Sequence, residues 1–247
     1  MVFPEIVQNI QFEFEEALIH NLAWTEGIIT TDLLKKRNGL SASSAKQILD
    51  CAYRKGLLER TAPDSFKRKP PEQPKITSVF QHAAKSGLKP KSLVRSIDFM
   101  PASKEIARKL GLSENEPIYQ QKRSRLINDL VVANQCNSIP ACITPSLEKI
   151  DLENQSFQVI LEKKYHAVVH AIQEDYSLAE PTPEDRQILD LQDNVKVVVV
   201  HRLSLSATSM PLVWADIHVN PDHFHLVEKL WPQGAKLLAS QNKGGTT

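Results

Sequence analysis

Apolar positions along the chain follow one rhythm up to about residue 70 and another after about residue 76. In the first stretch the rhythm is helical. Ile6, Ile10, Phe14, Leu18 and Leu22 recur every fourth residue and predict an amphipathic helix. Thr30 or Thr31 can cap a short second helix carrying Leu33 and Leu34, which Asn38 and Gly39 break. Ser41 is a good N-cap for a third helix, in which Ala45, Ile48, Leu49, Ala52 and Tyr53 form one stripe; Gly56 ends it. Leu57 to Arg60 reads as a strand and Ala62 to Ser65 as a turn. Phe66-Lys67-Arg68 then returns as a second wing strand.

Past KRKPPEQPK, with three prolines among charges, helices and long alternating strands interleave. Ile76 to Ala84 looks helical. Lys91 to Met100 alternates like a strand, and Ser103 caps a helix through Leu110 closed by Gly111. Pro117 to Leu126 and Leu130 to Ile139 pair across Asn128-Asp129, a hairpin signal. Phe157 to Lys164 is helical and Ala167 to Leu178 a strand. Thr182-Pro183-Glu184-Asp185 is a strong helix start. Val195 to Leu205 and Leu212 to Val219 form a last hairpin, and a helix follows from Asp222. Hairpins between helices predict an antiparallel α+β sheet. The expected organisation is a winged helix-turn-helix over 1–68, a linker over 69–75, a second domain over 76–235 and a tail over 236–247.

With 247 residues, 41% of them hydrophobic and 24% charged, the chain can bury a core in each half. A net charge of +1 gives no global basic field, so any contact with nucleic acid must come from a local cluster. Three cysteines, Cys51, Cys136 and Cys142, at irregular spacing argue against a disulfide framework or a zinc site. No secretory start and no membrane-length apolar run are visible, so a cytoplasmic protein without membrane association is expected.

Two short helices joined at a glycine and followed by a wing can read DNA. The third helix would present Ser41, Ser43, Ser44, Lys46 and Gln47 to the major groove, with Gln47 able to reach an adenine edge. Lys35, Lys36, Arg37, Arg54, Lys55, Lys67, Arg68 and Lys69 would supply phosphate contacts. Pattern alone equally allows a three-helix interaction module with solvated charges.

Arg123 and Arg125 are two apart in a strand and share a face. Paired guanidiniums are expensive to bury unless an anion meets them; the alternative is a solvated strand face. Thr77 and Ser78 open a helix whose free N–H groups can hold an anion, or are plain caps. His218, His223 and His225 with Asp216 and Asp222 lack a spacing that fixes them on one face, so no metal is expected. No catalytic set or cofactor-binding motif is found, so an enzyme is the least favoured reading.

Gly39 to Arg60, GLSASSAKQILDCAYRKGLLER, resembles the helix-turn-helix of the GntR family of bacterial regulators. Gly39, Leu40, Ser41, Lys46, Leu49 and Gly56-Leu57-Leu58 carry the match. Ala42 and Thr30-Thr31-Asp32 stand where the family has DNA-contacting arginines or their motif. That departure keeps open a sensor that has lost operator reading and acts through a protein partner. Ile76 to Pro140 resembles the UTRA effector domain of the HutC-like branch, through Thr77-Ser78, Gly87-Leu88-Lys89-Pro90, Pro101-Ala102, Leu110-Gly111-Leu112 and Arg123-x-Arg125. His201-Arg202 and Met210-Pro211-Leu212 continue it. The resemblance implies a chorismate-lyase-like fold, a homodimer on a palindromic operator, a repressor, and an effector held by Thr77, Ser78, Arg123 and Arg125. Gln135, Ser156 and Glu174 are further pocket candidates. Gln135 replaces a glutamate of many relatives and Asn220 an arginine, which turns the expected effector, a small anionic metabolite, away from those of the sugar-phosphate sensors and toward an organic acid or a phosphate ester rather than an amino sugar.

Overall fold

The computed structural model describes residues 27–69, 83–153, 155–229 and 231–243. The helix expected over 6–22, most of the linker, and Thr77 and Ser78 lie outside the described residues.

The head contains β1 (Ile28–Thr30), α1 (Thr31–Asn38), α2 (Ala42–Arg54), β2 (Leu58–Ala62) and β3 (Ser65–Arg68), with its small sheet in the order β1-β3-β2. Local chemistry sets the helix ends. Thr30 Oγ1 accepts the Leu33 N–H at 3.2 Å, and Ser41 Oγ accepts that of Ser44 at 3.0 Å. Gly39 takes the left-handed conformation (φ 65°) that closes α1. Ile29, Leu34, Ile48, Leu49, Leu58 and Phe66 fill the core between the helices and the wing. The sequence pattern contains no signal for β1, because three residues with one buried side chain, Ile29, are too few to show alternation.

Behind the head lies a six-stranded antiparallel sheet in the order β4-β5-β6-β9-β8-β7. Its strands are β4 (Pro90–Pro101), β5 (Pro117–Ile127), β6 (Leu130–Pro140), β7 (Ala171–Ala179), β8 (Val197–Leu205) and β9 (Pro211–Val219). Among the described residues α3 (Lys104–Leu110), α4 (Phe157–Tyr165), α5 (Pro183–Leu189) and α6 (Pro232–Lys243) accompany it. Asn128 (φ 51°) and Asp129 (φ 68°) make the turn between β5 and β6, and both tolerate positive φ.

The register passes one row of side chains across the sheet: Arg123 opposite Gln135, then Ile217, Val200 and Tyr176. That face meets α4 through Tyr119, Ile139, Phe157 and Leu161, and meets the C-terminal segment through Ala215, Ile217, Phe224 and Trp231. The opposite face carries α3 against Ile118 and Trp214, and α5 against Val197 and Val199. The expected antiparallel α+β class holds.

Two elements differ from expectation. β7 begins at Ala171 rather than Ala167, because its partner β8 ends at Leu205, opposite Ala171. Ala167 and Val169 are buried outside the ladder. The last helix starts at Pro232, not Asp222. Phe224–Leu226 forms a single 3₁₀ turn, and Phe224, Val227 and Trp231 enter the core before Pro232 opens α6 at a position that needs no donor.

The C-terminal end of α2 is docked on the sheet domain. Arg54 Nη1 donates to the carbonyls of Leu110 (2.7 Å) and Pro211 (3.1 Å), and Nη2 to that of Gly111 (3.1 Å). The Thr208 hydroxyl donates to the Tyr53 carbonyl at 2.9 Å. Arg54 and Lys55, expected to face phosphates, are therefore buried. The sequence could not reveal this, because the carbonyls that Arg54 binds belong to distant loops.

Candidate effector pocket and DNA-facing helix

A cavity opens on the face of the sheet that carries Arg125. Lys91, Arg125, Gln135, Arg202 and Trp231 line it, and Leu126, Ile127, Val132, Ile217 and Val227 form its apolar walls. Strand spacing positions the polar end. Ser92, Arg125 and Gln135 come from the three neighbouring strands β4, β5 and β6. Arg125 Nε donates to Gln135 Oε1 at 2.8 Å and Nη1 to Ser92 Oγ at 3.4 Å. Gln135 Nε2 donates to Asn137 Oδ1 (2.7 Å), and Asn137 Nδ2 to Gln121 Oε1 (2.9 Å), so a buried ladder of amides runs away from the guanidinium.

The electrostatics of this end are one-sided. Arg202 is neutralised by Glu174, whose Oε1 accepts its Nε at 2.6 Å; the Tyr176 hydroxyl donates to the same carboxylate. Burial raises the Tyr176 hydroxyl pKa, and the hydrogen bond to Glu174 adds to the rise. Arg125 has no carboxylate partner among the described residues. Burial pulls its pKa well down, and the charges of Arg123 and Arg202 add to the pull. Arg123 is fully buried, which alone lowers its pKa to about 10. Its Nη2 donates to the Gln155 carbonyl at 3.1 Å and the Leu152 carbonyl at 3.4 Å, while Nε and Nη1 have no partner among the described residues. Gln121 Nε2 and Trp231 Nε1 are also buried without one. Of these donors, only that of Trp231 belongs to a residue lining the cavity.

Arg125, Gln135 and, through Arg202, Glu174 come together at the pocket. Arg123 shares their face but turns toward the loop before α4. Ser156 begins α4 beside that loop and does not line the cavity. Sequence reasoning missed Lys91, Arg202 and Trp231 as lining residues. Register could have found Arg202, because it sits directly opposite Glu174 in the β7–β8 hairpin.

On the head, Ser43, Lys46 and Gln47 lie one helical turn apart and are exposed at the start of α2. Ser41, Lys36, Arg37 and Lys67 are exposed around them, and Arg68 is half-buried. Ser44 does not belong to this face. It is 5% exposed, and its hydroxyl is bonded to that of Ser41 at 2.9 Å, inside the cap. Thr31 donates to the Asp64 carboxylate and so ties the wing tip to α1.

Among the described residues no helix is long and apolar enough to cross a membrane, and no group of three or more His, Cys, Asp or Glu residues is placed to hold a metal ion.

A winged head joined to a pocketed antiparallel sheet defines a two-part regulator, one part a helix-turn-helix and the other a sensor. Residues 85–225 match the UTRA domain. The chain belongs to the UTRA-domain family, within the GntR-type transcriptional regulators. It is 22% identical over 184 residues to the HTH-type transcriptional regulator YurK of Bacillus subtilis, covering 73% of this chain and 76% of YurK. It is 23% identical over 169 residues to the transcriptional repressor NagR of the same organism, covering 66% and 69%. The crystal structure of PhnF from Mycobacterium smegmatis superposes with a TM-score of 0.55 at 17% identity, covering 86% of this chain and 95% of PhnF. These relatives are regulators, in keeping with a sequence that carries no catalytic set.

Proposed function

We propose that the protein is a cytoplasmic, homodimeric transcriptional repressor whose operator affinity is set by a small anionic metabolite. Residues 1–68 serve as the DNA-binding head and 76–235 as the sensor. The observation that carries the reading is the partly buried Arg125 guanidinium, which lines a largely apolar cavity with no carboxylate to neutralise it among the described residues. A partly buried cation of this kind gains from an anionic ligand. The apolar walls favour an organic acid with a hydrophobic body over a polyhydroxylated sugar phosphate. NagR, a relative, is a repressor, and two copies of the head would suit a two-fold operator. Ligand acts by favouring one arrangement of the two heads.

The test is a titration of Trp231 emission and melting temperature with carboxylates and phosphate esters, followed by gel shift on the DNA upstream of the protein's own operon with and without the hit. Ligand-dependent, salt-sensitive and sequence-selective binding supports the reading. A hit whose stabilisation survives Arg125→Ala refutes the pocket assignment. A second reading, a sensor acting through a protein partner, is favoured by Asp32. This acid is exposed at the start of α1 and paired with Lys35 at 3.0 Å, a poor neighbour for phosphates. Capture of a partner by a protein that fails to shift any operator would select it.

A further inference from the structure

Cys51 and Cys142 are 91 residues apart in sequence, yet they meet where the head docks on the sensor domain. Cys51 lies on the back of α2, is 1% exposed, and packs into the sensor core beside Ile143 and Leu212. Its thiol donates to the Cys142 carbonyl at 2.8 Å, which brings the two residues side by side. Cys142 follows the end of β6 and is partly exposed. Arg54 and Lys55, the next turn of the same helix, add positive charge around it.

We propose that Cys51 and Cys142 form a reversible disulfide when the protein meets a hydroperoxide, stapling the DNA-facing helix to the sensor domain. Cys142 is the attacking residue. The neighbouring Cys51 thiol lowers its pKa; burial works the other way, and the charges of Arg54 and Lys55 lower it further. The third cysteine, Cys136, lies on the far face of β6, where burial pushes its thiol up to about 11 and so leaves it inert. In the first step the Cys142 thiolate attacks a peroxide oxygen. The O–O bond breaks, the departing oxygen leaves as water after taking up a proton, and Cys142 becomes a sulfenic acid. In the second step the Cys51 sulfur attacks that of Cys142. The S–S bond forms, the S–O bond breaks, and a second water carries away the hydroxyl group with the Cys51 proton. Two thiols are oxidised and one hydrogen peroxide is reduced to two waters.

The experiment treats the full chain with hydrogen peroxide, blocks residual thiols and maps peptides without reduction. A Cys51–Cys142 peptide in wild type and in Cys136→Ser, removed by dithiothreitol and missing from Cys142→Ser, is the expected result. The linked form should melt several degrees higher and revert with dithiothreitol. Sulfinic or sulfonic acid at Cys142 with no linked peptide, or linkage confined to Cys136 between chains, overturns the proposal. The central readout comes from wild type, so it does not depend on how a variant folds. It also involves no effector or DNA, so it stands or falls apart from the function proposed above.

Discussion

His218 Nδ1 meets the Asp185 carboxylate at 2.7 Å, on the face of the sheet opposite the pocket. Asp185 is fully buried and also takes the Thr182 N–H, the Thr182 hydroxyl and Asn134 Nδ2. The other ring nitrogen of His218 faces Asp216 at 3.3 Å. The pair thus pins α5 to β6 and β9.

Burial alone would lower the His218 pKa, but the bonds to Asp185 and Asp216 raise it from 6.5 to about 10. A raised folded value stabilises fully below the unfolded value. The contribution of His218 is therefore complete below pH 6.5, fades above it, and is gone once pH has risen through about 10. Asp185 runs the other way. Burial opposes its ionisation, yet His218, Thr182 and Asn134 hold its pKa below 3.8, so its contribution is lost as pH falls below that. Urea unfolding across pH should show maximal stability in the mildly acidic range and a decline toward pH 10. His218→Gln should flatten the alkaline slope; an unchanged slope would place the charge elsewhere. His218→Ala, which strands the buried carboxylate, should lose about 3–5 kcal/mol.

Arg125 and Arg123 should separate in their effects. Arg125→Ala should weaken an anionic ligand by roughly 10- to 100-fold, the range of a charged hydrogen-bond pair worth about 1.5–3 kcal/mol. Arg123→Ala should mainly lower the melting temperature, because its Nη2 holds the carbonyls of Leu152 and Gln155. Calorimetric titration beside thermal melts reads both. Loss of ligand binding in Arg123→Ala at unchanged melting temperature would contradict this division.

On the head, Lys46→Ala should weaken DNA binding across sequences and reduce its dependence on salt. Gln47→Ala should relax sequence preference by about 1–3 kcal/mol at one base pair. Ser44→Ala should leave specificity intact and lower head stability by about 1 kcal/mol or less, because its hydroxyl bonds only within the cap. Fluorescence anisotropy on an operator and a scrambled duplex, at two salt concentrations, distinguishes the three.

Arg54→Met keeps most of the side-chain volume and removes the three carbonyl bonds. It should loosen the dock by about 2–4 kcal/mol, given the strength of charge-assisted bonds and the carbonyls left bare. Limited proteolysis should then cut faster between head and sensor. Unchanged cleavage would show that Thr208 and the Cys51 contact suffice.

Local signals carried most of the fold into the sequence. The caps at Thr30, Ser41, Ser103 and Thr182 all accept the N–H bonds their positions imply. The Asn128-Asp129 turn placed β5 opposite β6, and from that pairing the shared face of Arg123 and Arg125 followed. Relationships between distant segments were hidden. Ser44 shows the helix-start chemistry expected of a DNA contact, but its second bond turns it inward. Arg54 and Lys55 read as surface cations because nothing near them in sequence names the loops they meet. Trp231 escaped notice because the chain reaches the pocket through an irregular segment, where periodicity has no meaning.

The dock at Arg54 makes α2 a lever with one end fixed. The helix has thirteen residues, and at about 1.5 Å per residue roughly 10–17 Å separates Arg54 from the exposed turn bearing Ser43, Lys46 and Gln47. A tilt of about ten degrees at the anchor moves that turn by about 2–3 Å over such a length. One base-pair step is about 3.4 Å. A small shift of the Leu110, Gly111 or Pro211 carbonyls that tilted the helix would thus be enlarged at its far end to most of a base-pair step.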